Sequence, residues 1–306
     1  MNIIFAGTPL SSSRILKHLI NNPSINIKGV ITKPDSRSKR GKDLYESEVS
    51  KVSKRAGLKI FKPNKLNNPV FVEQINLLEI DYLLVVAYGK LMPKWMLELP
   101  KIASLNIHFS LLPKYRGASP IQSSLINGDI ETGVTFMEMS EGLDEGKIVS
   151  MHKLNIGSDD NKITLEEKLT NISIKKIHDV LINIKEGSVS FTKQNNSLAT
   201  YCEKISKEDS LINFDDYGVN IINKFKALIE WPGLSFKYKD TMIKIHEIYI
   251  SDKKSNDLPG IINRVDKSGL YINTRDKMVV ITYLQFPNKN KISSLDVFNS
   301  YVSFFK

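Results

Sequence analysis

The run Tyr82-Leu83-Leu84-Val85-Val86-Ala87 is dense in apolar residues and stops at Tyr88-Gly89. Without alternation, such a run suits a strand buried on both faces, the pattern of a parallel sheet covered by helices. Its neighbours agree. Asn2–Ala6 is a short apolar run closed by Gly7-Thr8-Pro9, and Ser11 to Ser13 are placed to cap a helix through Asn21. Ile25–Thr32 reads as a second strand, followed by a polar loop from Lys33 to Asp43. Leu44–Gly57 has helical spacing with Gly57 as its stop, Leu58–Phe61 reads as a short strand, and Val70–Leu78 as a helix. Ile102–Phe109 is the next strand. Strands separated by helices of this length imply βαβ units, hence an α/β fold with a mostly parallel sheet.

After Ser110 the texture changes. Pro113, Gly117 and Pro120 break a loop, and Ile121–Ile126 reads as a short helix. Val134–Met139 and Ile148–Leu154 are strand-like and flank the turn Glu141-Gly142-Leu143-Asp144-Glu145-Gly146. Leu165–Ile184 is a long amphipathic helix ending at Gly187. From Ser188 to about Ser206 the chain is polar and aperiodic, a linker by composition. A helix over Val219–Leu228 then precedes Trp231-Pro232-Gly233. Short strand-like runs follow at Ser235–Tyr238, Met242–Ile250, Gly260–Val265, Leu270–Asn273 and Met278–Leu284. Their spacing suggests a small barrel or sandwich. The expected division is a domain over 1–187, a linker over 188–206 and a second domain over 207–306.

Composition bounds the chemistry. The 306 residues are about twice the usual domain length. A single cysteine, Cys202, excludes an intrachain disulfide framework and any cysteine-rich zinc site. No apolar run approaches the roughly 20 residues that span a bilayer. Met1 leads straight into Ile3-Ile4-Phe5-Ala6 with no signal or transit segment, so a cytoplasmic protein is expected. Lys and Arg number 43 against 33 Asp and Glu, a net charge of +10. Most of that surplus lies in Lys33–Lys65, which holds eleven basic and four acidic residues. A solvated lysine-rich face would account for a charge run alone. The loop within it, containing Arg37, Lys39, Arg40 and Lys42, also follows a strand's carboxyl end, where α/β sheets form ligand crevices. That position favours an electrostatic footprint for a phosphate backbone.

Few residues qualify for catalysis. Phe5-Ala6-Gly7-Thr8-Pro9-Leu10-Ser11 lacks the G-x-G-x-x-G spacing, and Pro9 has no amide to offer a pyrophosphate, so a dinucleotide site is not indicated. Asn106-Ile107-His108 is more informative. Residues i and i+2 of a strand share a face, so a carboxamide donor and an imidazole project together. Such a pair can stabilise an oxyanion and manage a proton. A satisfied strand-end histidine is the plainer alternative. Asp144, between Gly142 and Gly146, offers a carboxylate to orient His108, or is an ordinary turn aspartate. His18, His152, His178 and His246 show no metal-ligand spacing, and Ser110 lies outside any G-x-S-x-G elbow.

The stretch Asn106-Ile107-His108-Phe109-Ser110-Leu111-Leu112-Pro113-Lys114-Tyr115-Arg116-Gly117-Ala118-Ser119-Pro120-Ile121-Gln122 resembles the signature of the folate-dependent formyltransferases, in the branch that acts on methionyl-tRNA. Agreement extends to Ile4-Phe5-Ala6-Gly7-Thr8-Pro9, Val85-Val86-Ala87-Tyr88-Gly89, Gly128-Asp129-Ile130-Glu131-Thr132-Gly133-Val134-Thr135 and Gly142-Leu143-Asp144. Further on it includes Tyr201-Cys202-Glu203-Lys204-Ile205-Ser206-Lys207-Glu208-Asp209 and Trp231-Pro232-Gly233. The blocks keep the family's order over most of the chain.

The resemblance implies a Rossmann-like sheet of the formyltransferase fold followed by an OB-like β-barrel domain that binds tRNA. It implies transfer of the formyl group of 10-formyltetrahydrofolate to the α-amine of methionine on initiator tRNA, for translation initiation, by a monomer without a metal. By the same likeness Asn106, His108 and Asp144 form the catalytic set. Ser110, Leu111, Leu112 and Pro113 match the folate-contacting stretch, with Tyr88, Gly89 and Leu91 at the pterin pocket. Arg37, Lys39, Arg40 and Lys42 match the insertion that approaches the tRNA acceptor end, Arg40 foremost.

Two departures stand out. The family commonly continues Gly-Leu-Asp as Thr-Gly-Asp, whereas Glu145-Gly146-Lys147 follows here. After Gly7-Thr8-Pro9 the family usually has an acidic residue, Phe and Ala, whereas this chain has Leu10-Ser11-Ser12. Three other readings compete: a formyltransferase acting on a small amine such as an amino sugar or glycinamide ribotide, a catalytically silent RNA-binding protein, and an NAD-dependent dehydrogenase. The basic loop and OB-like pattern disfavour the first, the Asn106/His108/Asp144 set the second, and the missing glycine fingerprint the third.

Overall fold

The computed structural model describes residues 1–37 and 44–306, and the chain divides into two compact units. Met1–Pro120, Glu131–Asn155 and Glu166–Cys202 make the first; Ile121–Ile130, Ile156–Leu165 and Glu203–Lys306 make the second.

The first unit is built on seven strands: β1 (Asn2–Gly7), β2 (Asn26–Ile31), β3 (Ile60–Phe61), β4 (Tyr82–Val86), β5 (Ala103–His108), β6 (Glu131–Glu138) and β7 (Ile148–Asn155). Their order across the sheet is β7-β6-β5-β4-β1-β2-β3. The five strands β1 to β5 pair in parallel, and β6 and β7 add an antiparallel hairpin beside β5. All five residues of β4 are buried, as its unbroken apolar run requires at the centre of a covered sheet. β7, at the edge, alternates half-buried and exposed positions along its second half.

Helices α1 (Leu10–Ile20), α2 (Glu48–Arg55), α3 (Pro69–Asn76) and α4 (Lys94–Leu97) connect the parallel strands. Two starts differ from expectation. Ser11, Ser12 and Ser13 do not cap α1; Pro9 holds the cap position, and the serines are buried inside the first turns. Their hydroxyls have other partners: Ser12 donates to Val86 O at 2.6 Å, Ser13 to Leu10 O at 2.8 Å, and Ser11 to Glu166 at 2.8 Å. Ser12 thus ties α1 to the end of β4 through its hydroxyl. Helix α2 begins four residues after Leu44, because the Ser47 side chain accepts the Ser50 N–H at 3.0 Å and sets the N-terminus there. Leu44–Tyr45 instead pairs with Ser36–Arg37.

The stretch 188–202 is well tied to the first unit. Thr192 bridges Ile148, and Tyr201–Cys202 runs parallel to Arg116–Gly117.

In the second unit lie α5 (Pro120–Ile126, from its second residue onward), the first residues of α6 (Lys162–Lys185), and helix α7 (Gly218–Leu228). Its strands are β8 (Leu234–Tyr238), β9 (Thr241–Lys254), β10 (Ile262–Asp266), β11 (Gly269–Ile272), β12 (Lys277–Gln285) and β13 (Lys291–Ser293). They form one antiparallel sheet in the order β8-β9-β12-β11-β10, with β13 also on β12. Helix α8 (Ser294–Ser300) was not legible as a periodic run; a Ser293–Asp296 capping box starts it.

Candidate active site

Because β4 and β5 are adjacent and parallel, the chain leaves both at the same edge of the sheet. Residues 87–91 and 109–113 therefore emerge side by side, at the carboxyl ends where α/β sheets bind ligands. Among the described residues of the first unit, three that are not glycine have left-handed backbone: Ala87 (φ 46°), Tyr115 (φ 59°) and Asp144 (φ 51°). Such conformations cost on the order of 1–3 kcal/mol each and persist where surrounding bonds over-determine them.

Asn106 and His108 share a face of β5, as the period of two requires, and Asp144 joins them from the β6–β7 turn. Asn106 Nδ2 donates to Asp144 Oδ1 at 3.3 Å, and His108 Nδ1 lies 3.7 Å from Asp144 Oδ2. The Gly117 N–H donates to the same Oδ2 at 2.8 Å. His108 is 5% exposed, and its Nε2 lies 2.9 Å from the Tyr115 carbonyl. A carbonyl only accepts, so Nε2 carries the proton, and in the neutral ring Nδ1 turns a lone pair towards Asp144. The Tyr115 carbonyl also accepts from Cys202 Sγ at 3.3 Å.

Gly117 needs to be a glycine. Its φ is 124°, and a Cβ would stand 2.2 Å from the Cys202 carbonyl oxygen, which is where Arg116–Gly117 and Tyr201–Cys202 pair. Gly146 is equally constrained, its Cβ position lying 1.8 Å from the Glu138 oxygen. The replaced neighbours of Asp144 have their own places. Glu145 lies over Gly142, and Lys147 is 3.5 Å from Glu138 across the hairpin.

The Asp144 turn has a second tether that sequence reasoning missed. Gln194 Nε2 donates to both Asp144 O and Gly146 O, each at 2.8 Å. Its Oε1 accepts from Arg116 Nε at 3.0 Å and Nη2 at 2.8 Å. Arg116 is 1% exposed, with Asn196 Oδ1 at 2.7 Å and the Tyr201 hydroxyl at 3.5 Å as its other partners. Gln194 sits in an aperiodic polar stretch that carries no local signal.

The residues matched to folate divide by exposure. Gly89 and Leu91 are exposed, and Leu111 and Pro113 are half-buried. Ser110 and Leu112 are buried: the Ser110 hydroxyl donates to Lys114 O at 2.5 Å, and Thr135 Oγ1 donates to Ser110 O and accepts the Leu112 N–H. Tyr88 is also buried, in the apolar cluster with Phe61, Phe71, Met92 and Met96. Burial pushes its hydroxyl up to about 12, and among the described residues that hydroxyl has no hydrogen-bond partner.

Of the basic loop, Lys39, Arg40 and Lys42 lie outside the described residues, and Arg37 is described by its backbone pairing alone. Within Lys33–Lys65, Lys62 pairs with Asp35 at 2.6 Å, Lys51 with Glu48 at 2.6 Å, and Lys54 with Glu46. Among the described residues no group of three or more His, Cys, Asp or Glu is arranged to hold a metal ion. No helix among them is long and apolar enough to cross a membrane.

Comparison with known proteins places this geometry. The formyl transferase family model matches residues 1–181, and the formyl transferase C-terminal domain model matches 204–302. The methionyl-tRNA formyltransferase of Legionella pneumophila (strain Corby) is 36% identical over 300 residues, 98% of this chain and 95% of that protein. The methionyl-tRNA formyltransferase of Caldicellulosiruptor saccharolyticus is 37% identical over 304 residues, 98% of this chain and 97% of that protein. Among solved structures, the sugar 3N-formyl transferase WlaRD, crystallised with dTDP and 5-N-formyl-THF, superposes with a TM-score of 0.69 at 21% identity, covering 95% of this chain and 99% of that one. The methionyl-tRNA formyltransferase of Clostridium thermocellum superposes with a TM-score of 0.58 at 19% identity, covering 82% of this chain and 94% of that one. These structures share the fold. The near full-length identity to the curated relatives decides the rest: the chain belongs to the methionyl-tRNA formyltransferase family.

Proposed function

We propose that this enzyme transfers the formyl group of 10-formyltetrahydrofolate to the α-amine of methionine on initiator tRNA, acting as a cytoplasmic monomer. The observation that carries the reading is the convergence of Asn106, His108 and Asp144 at the sheet's carboxyl edge, within a chain alike along nearly its whole length to enzymes of that name. Domain 1–187 carries the chemistry, and domain 207–306, with the loop of Arg37, Lys39, Arg40 and Lys42, holds the tRNA. Gly89, Leu91, Leu111 and Pro113 offer the folate an accessible wall. Ser110, Leu112 and Tyr88 shape that wall from behind.

The amine nitrogen attacks the formyl carbon, and the carbonyl oxygen becomes an oxyanion. Asn106 stabilises it through amide hydrogen. The amine then loses a proton to the Asp144–His108 pair, whose Nδ1 and Oδ2 face each other with one proton site between them. Collapse breaks the bond from the formyl carbon to N10 of the folate, and the same pair returns the proton to that nitrogen. When His108 carries the proton at Nδ1 it adds a second donor beside the oxyanion. Its Nε2–H stays committed to Tyr115 throughout.

The test offers purified protein 10-formyltetrahydrofolate with charged initiator tRNA, free methionine or a nucleotide-linked amino sugar. Formylation of the charged tRNA alone is expected. Transfer to the sugar and none to tRNA would overturn the reading.

A further inference from the structure

We propose that Gln194 is a positioning residue for this reaction, oriented by the buried Arg116 so that its amide clamps the Asp144 turn and holds the Asp144 carboxylate against His108. The inference rests on the reading of Asp144 as a member of the catalytic set.

The orientation of the Gln194 amide is decided from both sides. Guanidinium nitrogens only donate, so Oε1 faces Arg116; backbone carbonyls only accept, so Nε2 faces Asp144 O and Gly146 O. Both amide hydrogens are thereby used, on carbonyls two residues apart that bracket Glu145. Asp144 needs such a clamp, because its left-handed backbone is not a conformation the turn would adopt unaided.

Arg116 makes little sense as a stabilising feature alone. Burying a cation without an anion is expensive, and no carboxylate pairs with Arg116 among the described residues. Its charge instead polarises the Gln194 amide and strengthens the two donations on the far side. Gly117, the next residue, donates its N–H to the Asp144 carboxylate itself. One Arg-Gly dipeptide therefore holds Asp144 twice, by its backbone directly and by its side chain through Gln194.

Two substitutions separate positioning from simple packing. Gln194→Glu pairs with Arg116 as an ion pair, yet presents oxygens to the two carbonyls and loses both donations. Gln194→Met fills the space with neither donor nor charge, and carries the test if the glutamate variant does not fold. Steady-state formylation of charged initiator tRNA is expected to show kcat lowered about 10- to 100-fold, with KM for both substrates within about twofold of wild type. In single turnovers on an Asp144→Asn background, the same substitution costs less than about twofold further, because the group it positions is gone. A Gln194→Glu enzyme with near wild-type kcat overturns the proposal. So does an equal loss with and without the Asp144 carboxylate, which marks Gln194 as structural. If wild-type protein formylates no tRNA, the function reading itself has failed, a result distinct from either.

Discussion

His108 Nδ1 and Asp144 Oδ2 face each other at 3.7 Å, with the opposite ring nitrogen held by the Tyr115 carbonyl at 2.9 Å. The carbonyl settles the tautomer, so the proton-accepting nitrogen is the one beside the carboxylate. The imidazole is thus not a free hydrogen-bond donor to substrate in its neutral form. In the proposed reaction its part is to take a proton at Nδ1, beside Asp144 Oδ2.

Asp144→Asn leaves an oxygen to accept from Gly117 but removes the charge and the proton acceptor. kcat for formyl transfer is expected to fall about 10²- to 10⁴-fold with KM for tRNA little changed, the range for loss of a general acid–base group. His108→Ala should fall in the same range in steady-state assays. Near-normal turnover in either variant would remove that residue from the mechanism.

Gly117→Ala meets the Cys202 carbonyl oxygen at 2.2 Å in a backbone conformation that L side chains rarely adopt. A loss of about 2 kcal/mol or more is expected in denaturant unfolding, and kcat should fall with it because the Gly117 N–H holds Asp144. An unchanged midpoint would mean that the Arg116–Gly117 ladder can shift freely.

Tyr82 and Tyr88 are both buried, and burial pushes both hydroxyls up to about 12. Their neutral forms favour the folded state, so their contribution is complete below the unfolded value near 10 and declines as pH rises towards 12. Unfolding monitored between pH 9 and about pH 12 should show a shallower alkaline loss in Tyr82→Phe and Tyr88→Phe than in wild type. At neutral pH the two should part. Tyr82 donates to Leu181 O at 2.8 Å, so its loss costs about 1 kcal/mol, whereas the Tyr88 hydroxyl has no partner among the described residues and its removal is neutral or stabilising. Equal effects at neutral pH would contradict that assignment.

Arg40→Ala and Lys42→Ala should weaken binding of charged initiator tRNA and reduce the slope of log affinity against log salt by roughly 0.7–0.9 per lost phosphate contact. Lys51 and Lys54 are already paired with Glu48 and Glu46, so Lys54→Ala should change that slope less. Filter-binding titrations over a salt series distinguish them. Identical slopes for all three variants would return the loop to a solvated surface.

Asn106 and His108 could be paired from sequence because a strand's side chains repeat every two residues, and β5 carries both. The parallel sheet was legible for a similar reason: the unbroken apolar run of β4 can be buried only between two layers. Helix starts were less so. The three serines after Pro9 looked like caps, but their hydroxyls are used by α1's own turn, by Val86 and by Glu166. Helix α8 is too short for periodicity to reveal.

What the amino-acid order determined by itself is whatever depends on local period and local chemistry: the βαβ succession, the shared face of Asn106 and His108, and the family signature that links them to formyl transfer. Tertiary structure alone decided which groups hold Asp144. Arg116, Gly117 and Gln194 reach it from loops 27 to 50 residues away in sequence, as the Gly117 and Gln194 hydrogen bonds record. A hydrogen bond across such a distance leaves no period in the chain, because it depends on where the β5, β6 and 188–202 segments end in space. That is why the catalytic candidates could be named from the sequence, while the clamp that sets their geometry could not.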